Sequence, residues 1–172
     1  MKSFSVLMSI YNKEKPEFLD KSLKSILINQ TILPNEVIIV KDGLINKDLE
    51  KVLEKFQNNF PNVLKIFGYE ANMGLGYALN FGLDKCKNEL VFRMDSDDIS
   101  SDDRFENQIK IFEKNKNLAI VGGQINEFIN TPNDLNQIRR VPETSDLIQK
   151  KKLERNPFNH MTVAFKKSII LE

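Results

Sequence analysis

Leu90-Val91-Phe92-Arg93-Met94-Asp95-Ser96-Asp97-Asp98 passes from a mostly apolar, strand-length run straight into three carboxylates. Such a run reads as a strand buried on both faces, and its polar end places the acidic loop at the strand's carboxyl terminus. The same punctuation recurs upstream. Phe4–Ile10 ends on Tyr11-Asn12, residues 36–40 end at Asp42-Gly43, and residues 63–67 form a third run. Between these runs the apolar positions fall at helical spacing. Leu19, Leu23, Ile26 and Leu27 follow Pro16, then come Leu49, Val52, Leu53 and Phe56, then Leu75, Ala78, Leu79 and Leu83. Phe105, Ile109 and Phe112 mark a helix over residues 102–114, residues 118–122 a fifth strand, and residues 124–129 a further one. Alternation of this kind predicts parallel strands joined by right-handed crossovers, with helices on both faces. The expected fold class is α/β, a Rossmann-like, mostly parallel sheet.

Beyond residue 131 the pattern weakens. Residues 133–140 are polar, residues 146–155 read as a charged helix, and residues 161–165 as a short strand. Ile169, Ile170 and Leu171 look like the opening of another element. Leu171-Glu172 also has the look of a cloning remnant.

The 172 residues suit one domain, and an apolar content of 41% with 28% charged residues matches an ordinary globular chain. With 25 basic against 24 acidic residues the net charge is +1, which argues against a nucleic-acid partner. A single cysteine, Cys86, excludes an intrachain disulfide and a Cys-rich zinc site, and reads as a thiol at a helix end. No apolar run approaches the ~20 residues of a membrane span, and residues 4–11 lack the form of a signal peptide. The expectation is a cytoplasmic protein, with peripheral association at the inner face of the cytoplasmic membrane left open.

The acidic loop carries the chemistry. In an extended segment residues i and i+2 point the same way, so Asp95 and Asp97 are expected on one face. Carboxylates this close repel unless a cation or hydrogen-bond donors compensate, and hard divalent ions take carboxylates together with substrate phosphates. Service to a helix N-terminus accounts for Asp102 and Asp103, but not for Asp95 and Asp97, which precede the turn. If the strand order begins 3-2-1 and the fourth strand returns beside the first, the crevice at the switch point lies between Tyr11-Asn12 and the acidic loop. Asp42-Gly43 then borders it. Other chemistries are poorly supported: Gly74-Leu75-Gly76 lacks the rest of a dinucleotide fingerprint, no Walker or Gly-x-Ser-x-Gly pattern occurs, and a catalytic triad would have to use His160.

Several of these segments together resemble the nucleotide half of bacterial family 2 glycosyltransferases. The likeness runs through residues 5–14, residues 22–31, residues 36–43 with Glu36-Val37-Ile38-Ile39-Val40-Lys41-Asp42-Gly43, and Asn72-Met73-Gly74-Leu75-Gly76. Arg93-Met94-Asp95-Ser96-Asp97-Asp98-Ile99, continuing to Asp103-Arg104-Phe105 and Gln108, is its strongest segment. Asn156-Pro157-Phe158-Asn159-His160-Met161 is similar to the subgroup that builds capsule, exopolysaccharide or lipopolysaccharide.

The resemblance implies a GT-A fold and transfer of a sugar, with inversion, from a nucleotide diphosphate sugar (UDP above all) to a glycan or lipid-linked glycan acceptor. It implies that Asp42 accepts from the N3–H of uracil, that Tyr11 with Asn12 and Asn72 lines the nucleotide site, and that Asp95 holds ribose or a metal-bound water. Asp97 would ligate Mn²⁺ or Mg²⁺, with Asp95 and His160 as further candidates. Residues 1–130 are then the donor-binding region and 131–172 the start of an acceptor-side region, C-terminally truncated before the acidic motif that supplies the general base; Glu143 and Asp146 are not given that role. Lys41 and Leu44 depart from the family pattern of an acidic pair followed by Gly-Ser. Arg104 and Gln108 read as a polar network on the side of their helix. The rival readings are an inactive sugar-nucleotide-binding or assembly module and a sugar-phosphate nucleotidyltransferase, whose Gly-rich loop is missing.

Overall fold

Seven residues of unbroken strand, β1 (Phe4–Ile10), lie at the centre of the sheet in a computed structural model that describes residues 3–170. Its odd and even positions are buried on opposite faces, as a strand covered on both sides requires. Beside it run β2 (Glu36–Asp42) and β4 (Leu90–Asp95), both parallel to it, and β3 (Leu64–Tyr69) flanks β2. The predicted order 3-2-1-4 is therefore present, with its reversal between β1 and β4.

Three crossover helices, α1 (Pro16–Leu27), α2 (Lys47–Asn59) and α4 (Arg104–Lys114), cover one face. Their apolar stripes, Leu19, Leu23, Ile26, Leu49, Leu53, Phe56, Phe105, Ile109 and Phe112, pack on Val6, Met8, Ile39, Phe92 and Met94. Pro16 opens α1, where its missing N–H costs nothing, and Asn46 caps α2 by accepting from the N–H of Asp48 and Leu49. The fourth helix, α3 (Leu75–Lys85), lies on the other face against Leu7, Ile38, Val40 and Val91. It approaches closely because Gly82 has no side chain: a Cβ there would stand 2.5 Å from Leu7 Cδ1 and 2.7 Å from Val40 Cγ2. Leu75, expected on the buried stripe of this helix, is exposed, because it opens the helix at the rim of the sheet. Cys86 caps α3 and is buried, and desolvation pushes its thiol up to about 12.

The chain departs from the simple alternation after α4. The fifth strand is only β5 (Ile120–Val121), and it does not pair with β4. The further strand expected over residues 124–129 is β6 (Ile125–Glu127), and it pairs with β7 (Gln137–Arg139) in a separate antiparallel ribbon. The charged helix is shorter than expected, α5 (Ser145–Lys151), capped by Thr144. A 3-10 turn (His160–Thr162) then leads into β8 (Ala164–Lys166), which inserts antiparallel between β4 and β5. The last described residues form α6 (Lys167–Ile170), and Leu171-Glu172 lie outside the described residues. Among the described residues no helix is long and apolar enough to cross a membrane.

Candidate functional site

The carboxyl ends of β1, β2 and β4 open on a cleft of about 290 Å³. Ser9, Tyr11 and Glu14 line it from β1 and the turn that follows, and Asp42 from β2. Asn72, Gly74 and Leu75 come from the connection into α3, and Asp95, Ser96 and Asp97 from the end of β4. Of the residues singled out in the sequence, Tyr11, Asp42, Asn72, Asp95 and Asp97 are thus brought together. Asn12 is exposed beside Tyr11 and is not part of the lining; its carbonyl accepts from Asn46 Nδ2 at 3.2 Å. His160 opens the 3-10 turn near β4, also outside the lining. Desolvation and then Arg93 lower the pKa of its imidazole, with Asp95 opposing.

Asp42 is the last residue of β2 and is buried. Its Oδ1 accepts from Tyr69 Oη at 2.9 Å and from the Met73 N–H at 2.7 Å, and its Oδ2 accepts from the Gly74 N–H at 3.0 Å. Asn72 Nδ2 donates to the Asp42 carbonyl at 3.0 Å. Lys41 points away from the cleft to α2, where Nζ meets Glu50 Oε1 at 2.9 Å.

Asp95 ends β4 opposite Ser9 of β1, and Arg93 Nη1 donates to its Oδ1. Its carbonyl accepts from Ser22 Oγ at 2.8 Å. Ser96 and Asp97 form a turn, not an extended continuation, so the expected i, i+2 alignment does not apply. The turn instead folds Asp97 back over the same cleft. Asp98 leaves that lining and turns toward Arg93 and Arg104. Burial, then Asp95 and Asp97, push its carboxyl up to about 6, while the two arginines pull it down. Arg104 and Gln108 form the expected network on α4: Arg104 Nε donates to Gln108 Oε1 at 3.2 Å, and Gln108 Nε2 to the Thr162 carbonyl at 2.8 Å.

Glu14 was not singled out in the sequence. The turn after Tyr11 brings it against the acidic loop, and its carboxyl is raised by burial and then by Asp97, against a hydrogen bond from Ser96. Nothing in linear spacing signals this approach. Glu14, Asp95 and Asp97 therefore give the cleft a negative wall, offset among the described residues where Arg93 meets Asp95 and where Ser96 hydrogen-bonds Glu14. Among the described residues no three His, Cys, Asp or Glu side chains are grouped closely enough to hold an ion by themselves. The exposed Asp97 carboxylate suits a hard divalent ion that takes one or two carboxylates and completes its shell with phosphate oxygens and water. The donor set fits such an ion, and does not form a closed protein cage.

Residues 5–170 match the model of glycosyl transferase family 2. The chain belongs to this family. It is 44% identical over 168 residues to the UDP-Gal:alpha-D-GlcNAc-diphosphoundecaprenol beta-1,3-galactosyltransferase of Escherichia coli, covering 98% of this chain and 60% of that protein. It is 40% identical to the amylovoran biosynthesis glycosyltransferase AmsE of Erwinia amylovora, covering 98% of this chain and 61% of the relative. The chain thus spans about three fifths of the length of these family 2 relatives. The fold is also that of the mannosyltransferase PcManGT from Pyrobaculum calidifontis, solved with GDP-Man and Mn²⁺. The TM-score is 0.71 at 18% identity, over 99% of this family 2 chain and 46% of the neighbour. The GT-A architecture expected from the sequence is therefore present.

Proposed function

We propose that this family 2 chain forms the donor-binding part of a metal-dependent, inverting glycosyltransferase. It would take a sugar from a UDP-sugar to a lipid-linked glycan in cell-surface polysaccharide assembly. The observation that carries the reading is the cleft at the switch between β1 and β4, into which Tyr11, Asp42, Asn72, Asp95 and Asp97 converge. The UDP-Gal and diphosphoundecaprenol in the name of the Escherichia coli relative support the choice of base and acceptor. The GDP-Man neighbour, at far lower identity, weighs less on the base, and its Mn²⁺ supports a metal.

In this reading Tyr11 and Asn72 border the nucleotide, Asp42 offers the base its remaining lone pairs, and Asp95 takes the ribose. Asp97 would hold Mn²⁺ or Mg²⁺, with Asp95 and His160 as further candidates. The ion, when bound, neutralises the charge that develops on the departing diphosphate. The protein's own part is to hold the donor against a wall of carboxylates that binds poorly without that cation. Residues 1–130 carry the donor region and residues 131–172 begin the acceptor side; the general base is not assigned to any residue of this chain. The protein works at the inner face of the cytoplasmic membrane, where a lipid-linked acceptor is presented.

Thermal unfolding tests the reading. A ligand at ~100 times its dissociation constant adds about 2.7 kcal/mol of stability. UDP with Mn²⁺ or Mg²⁺ is expected to raise Tm, UDP alone to raise it less, and Asp97→Ala to lose the metal-dependent increment. Failure of UDP, dTDP and GDP alike with either metal overturns the donor-binding reading. Hydrolysis of a UDP-sugar without acceptor distinguishes a catalytic protein from a binding module.

A further inference from the structure

Arg93 is 2% exposed, among the most deeply buried side chains in the protein, on a strand whose other five residues, Asp95 apart, are apolar. Alternation along β4 puts Phe92 and Met94 in the core beneath α1 and α4, and Val91 in the core beneath α3. Arg93 occupies the next position on the Val91 face, and Asp95 the one after that. The guanidinium is thus sealed within the sheet while its partner carboxylate, 26% exposed, opens on the cleft. Nη1 donates to Asp95 Oδ1, and neither Nε nor Nη2 meets an acceptor among the described residues. On stability alone this is a poor choice. A buried guanidinium with unsatisfied donors costs free energy that an apolar residue of similar volume would not.

The backbone around the pair is tied at three points. The Arg93 N–H donates to the Val163 carbonyl at 2.8 Å, the Arg93 carbonyl accepts from Arg104 Nη2 at 2.7 Å, and the Asp95 carbonyl accepts from Ser22 Oγ at 2.8 Å. With main chain and Oδ1 both held, the Asp95 carboxylate cannot rotate freely, and Oδ2 is the oxygen left to the cleft. We propose that Arg93 is a positioning residue: it fixes the Asp95 carboxylate for the donor without touching the donor itself. This rests on the reading of the cleft as a UDP-sugar site. A carboxylate free to turn would have to be ordered at the moment of binding, and affinity would fall by that cost.

Calorimetric titration of UDP in saturating Mn²⁺, with Tm recorded for each protein, tests the proposal on wild type, R93M, R93K, D95N and the R93M/D95N pair. R93M is expected to weaken UDP binding about 10–100-fold, as loss of a residue orienting a ligating carboxylate does, without lowering Tm. R93K, which restores a single donor, recovers part of the affinity. The double variant binds no more weakly than the weaker single one, because both act through one carboxylate. Wild-type affinity in R93M, or losses that multiply in the double variant, overturns the proposal. If wild type itself takes no UDP, the donor reading fails, and a crystal structure of R93M, or of R93L should R93M not fold, still decides this one. An Asp95 carboxylate turned out of its wild-type position supports the positioning role, and one unmoved overturns it.

Discussion

Three donors converge on the Asp42 carboxylate, and all three come from the strand and loop that lead into α3: Tyr69, Met73 and Gly74. This makes Asp42 the anchor of one wall of the cleft, whatever it also offers a base. The residue after it makes the anchorage possible. Gly43 has φ +85°, and a Cβ at that position would stand 2.9 Å from the Asn72 amide nitrogen. Gly43→Ala therefore meets both a left-handed backbone and a main-chain clash that no rotamer relieves. We expect it to cost about 1–3 kcal/mol, the usual range for such strain, read as a lower urea midpoint. The displaced Asn72–Gly74 segment should also weaken UDP more than the stability loss explains. A variant with wild-type midpoint and affinity would show that the loop is held elsewhere.

At the scale of elements, α1 and α2 are joined on the surface through Asp20. Its carboxylate meets Lys24 at 2.7 Å within α1 and Lys55 of α2 at 2.6 Å. Burial alone would raise the Asp20 carboxyl, but hydrogen bonds from both lysines, with their charges, outweigh it and hold the group below its ordinary value of 3.8. Between the lowered folded value and 3.8 the unfolded chain binds more protons, so stability from this group is complete above 3.8 and lost as pH falls through the folded value. Both lysines are half exposed, so Asp20→Asn should cost only about 1 kcal/mol near neutrality. The gap between variant and wild type in urea unfolding should close in strong acid. A gap that is constant with pH would assign it to packing instead. The helices carrying these residues were legible in the sequence because four apolar positions at 3.6-residue spacing in each specify both period and face. The late strands were not. β7 spans three exposed residues with no alternation to read, and its ribbon depends on turns in which Asn133 and Asn136 adopt positive φ and Asp134 accepts from three backbone N–H groups. The same contrast holds in the site. Strand-end residues could be read from topology, whereas Glu14 and Arg93 matter through a turn and a burial that only the folded chain reveals.

At the scale of the whole molecule, the segment after residue 131 completes the sheet that the first part begins. β8 lies between β4 and β5 and buries Ala164, and Lys167 donates its N–H to the Glu89 carbonyl at 2.8 Å. Thr162 receives Gln108 Nε2 at its carbonyl and the Gly123 N–H at its hydroxyl at 2.9 Å. These ties reach β4 itself, the strand that ends in the acidic loop, so the cleft leans on residues assigned by sequence to the other side. Removing them would leave β4 an open edge, with Val91 and Phe92 no longer sheltered and the Arg93 N–H without its acceptor. The 172-residue chain is accordingly expected to unfold in urea in a single transition. A fragment ending at residue 130 should show a lower midpoint and a shallower slope, because less surface is buried cooperatively. Equal midpoint and slope for the two would mean that residues 1–130 fold on their own and that β8 is an appendage. The expected loss would mean that the cleft's floor is built by both ends of the chain.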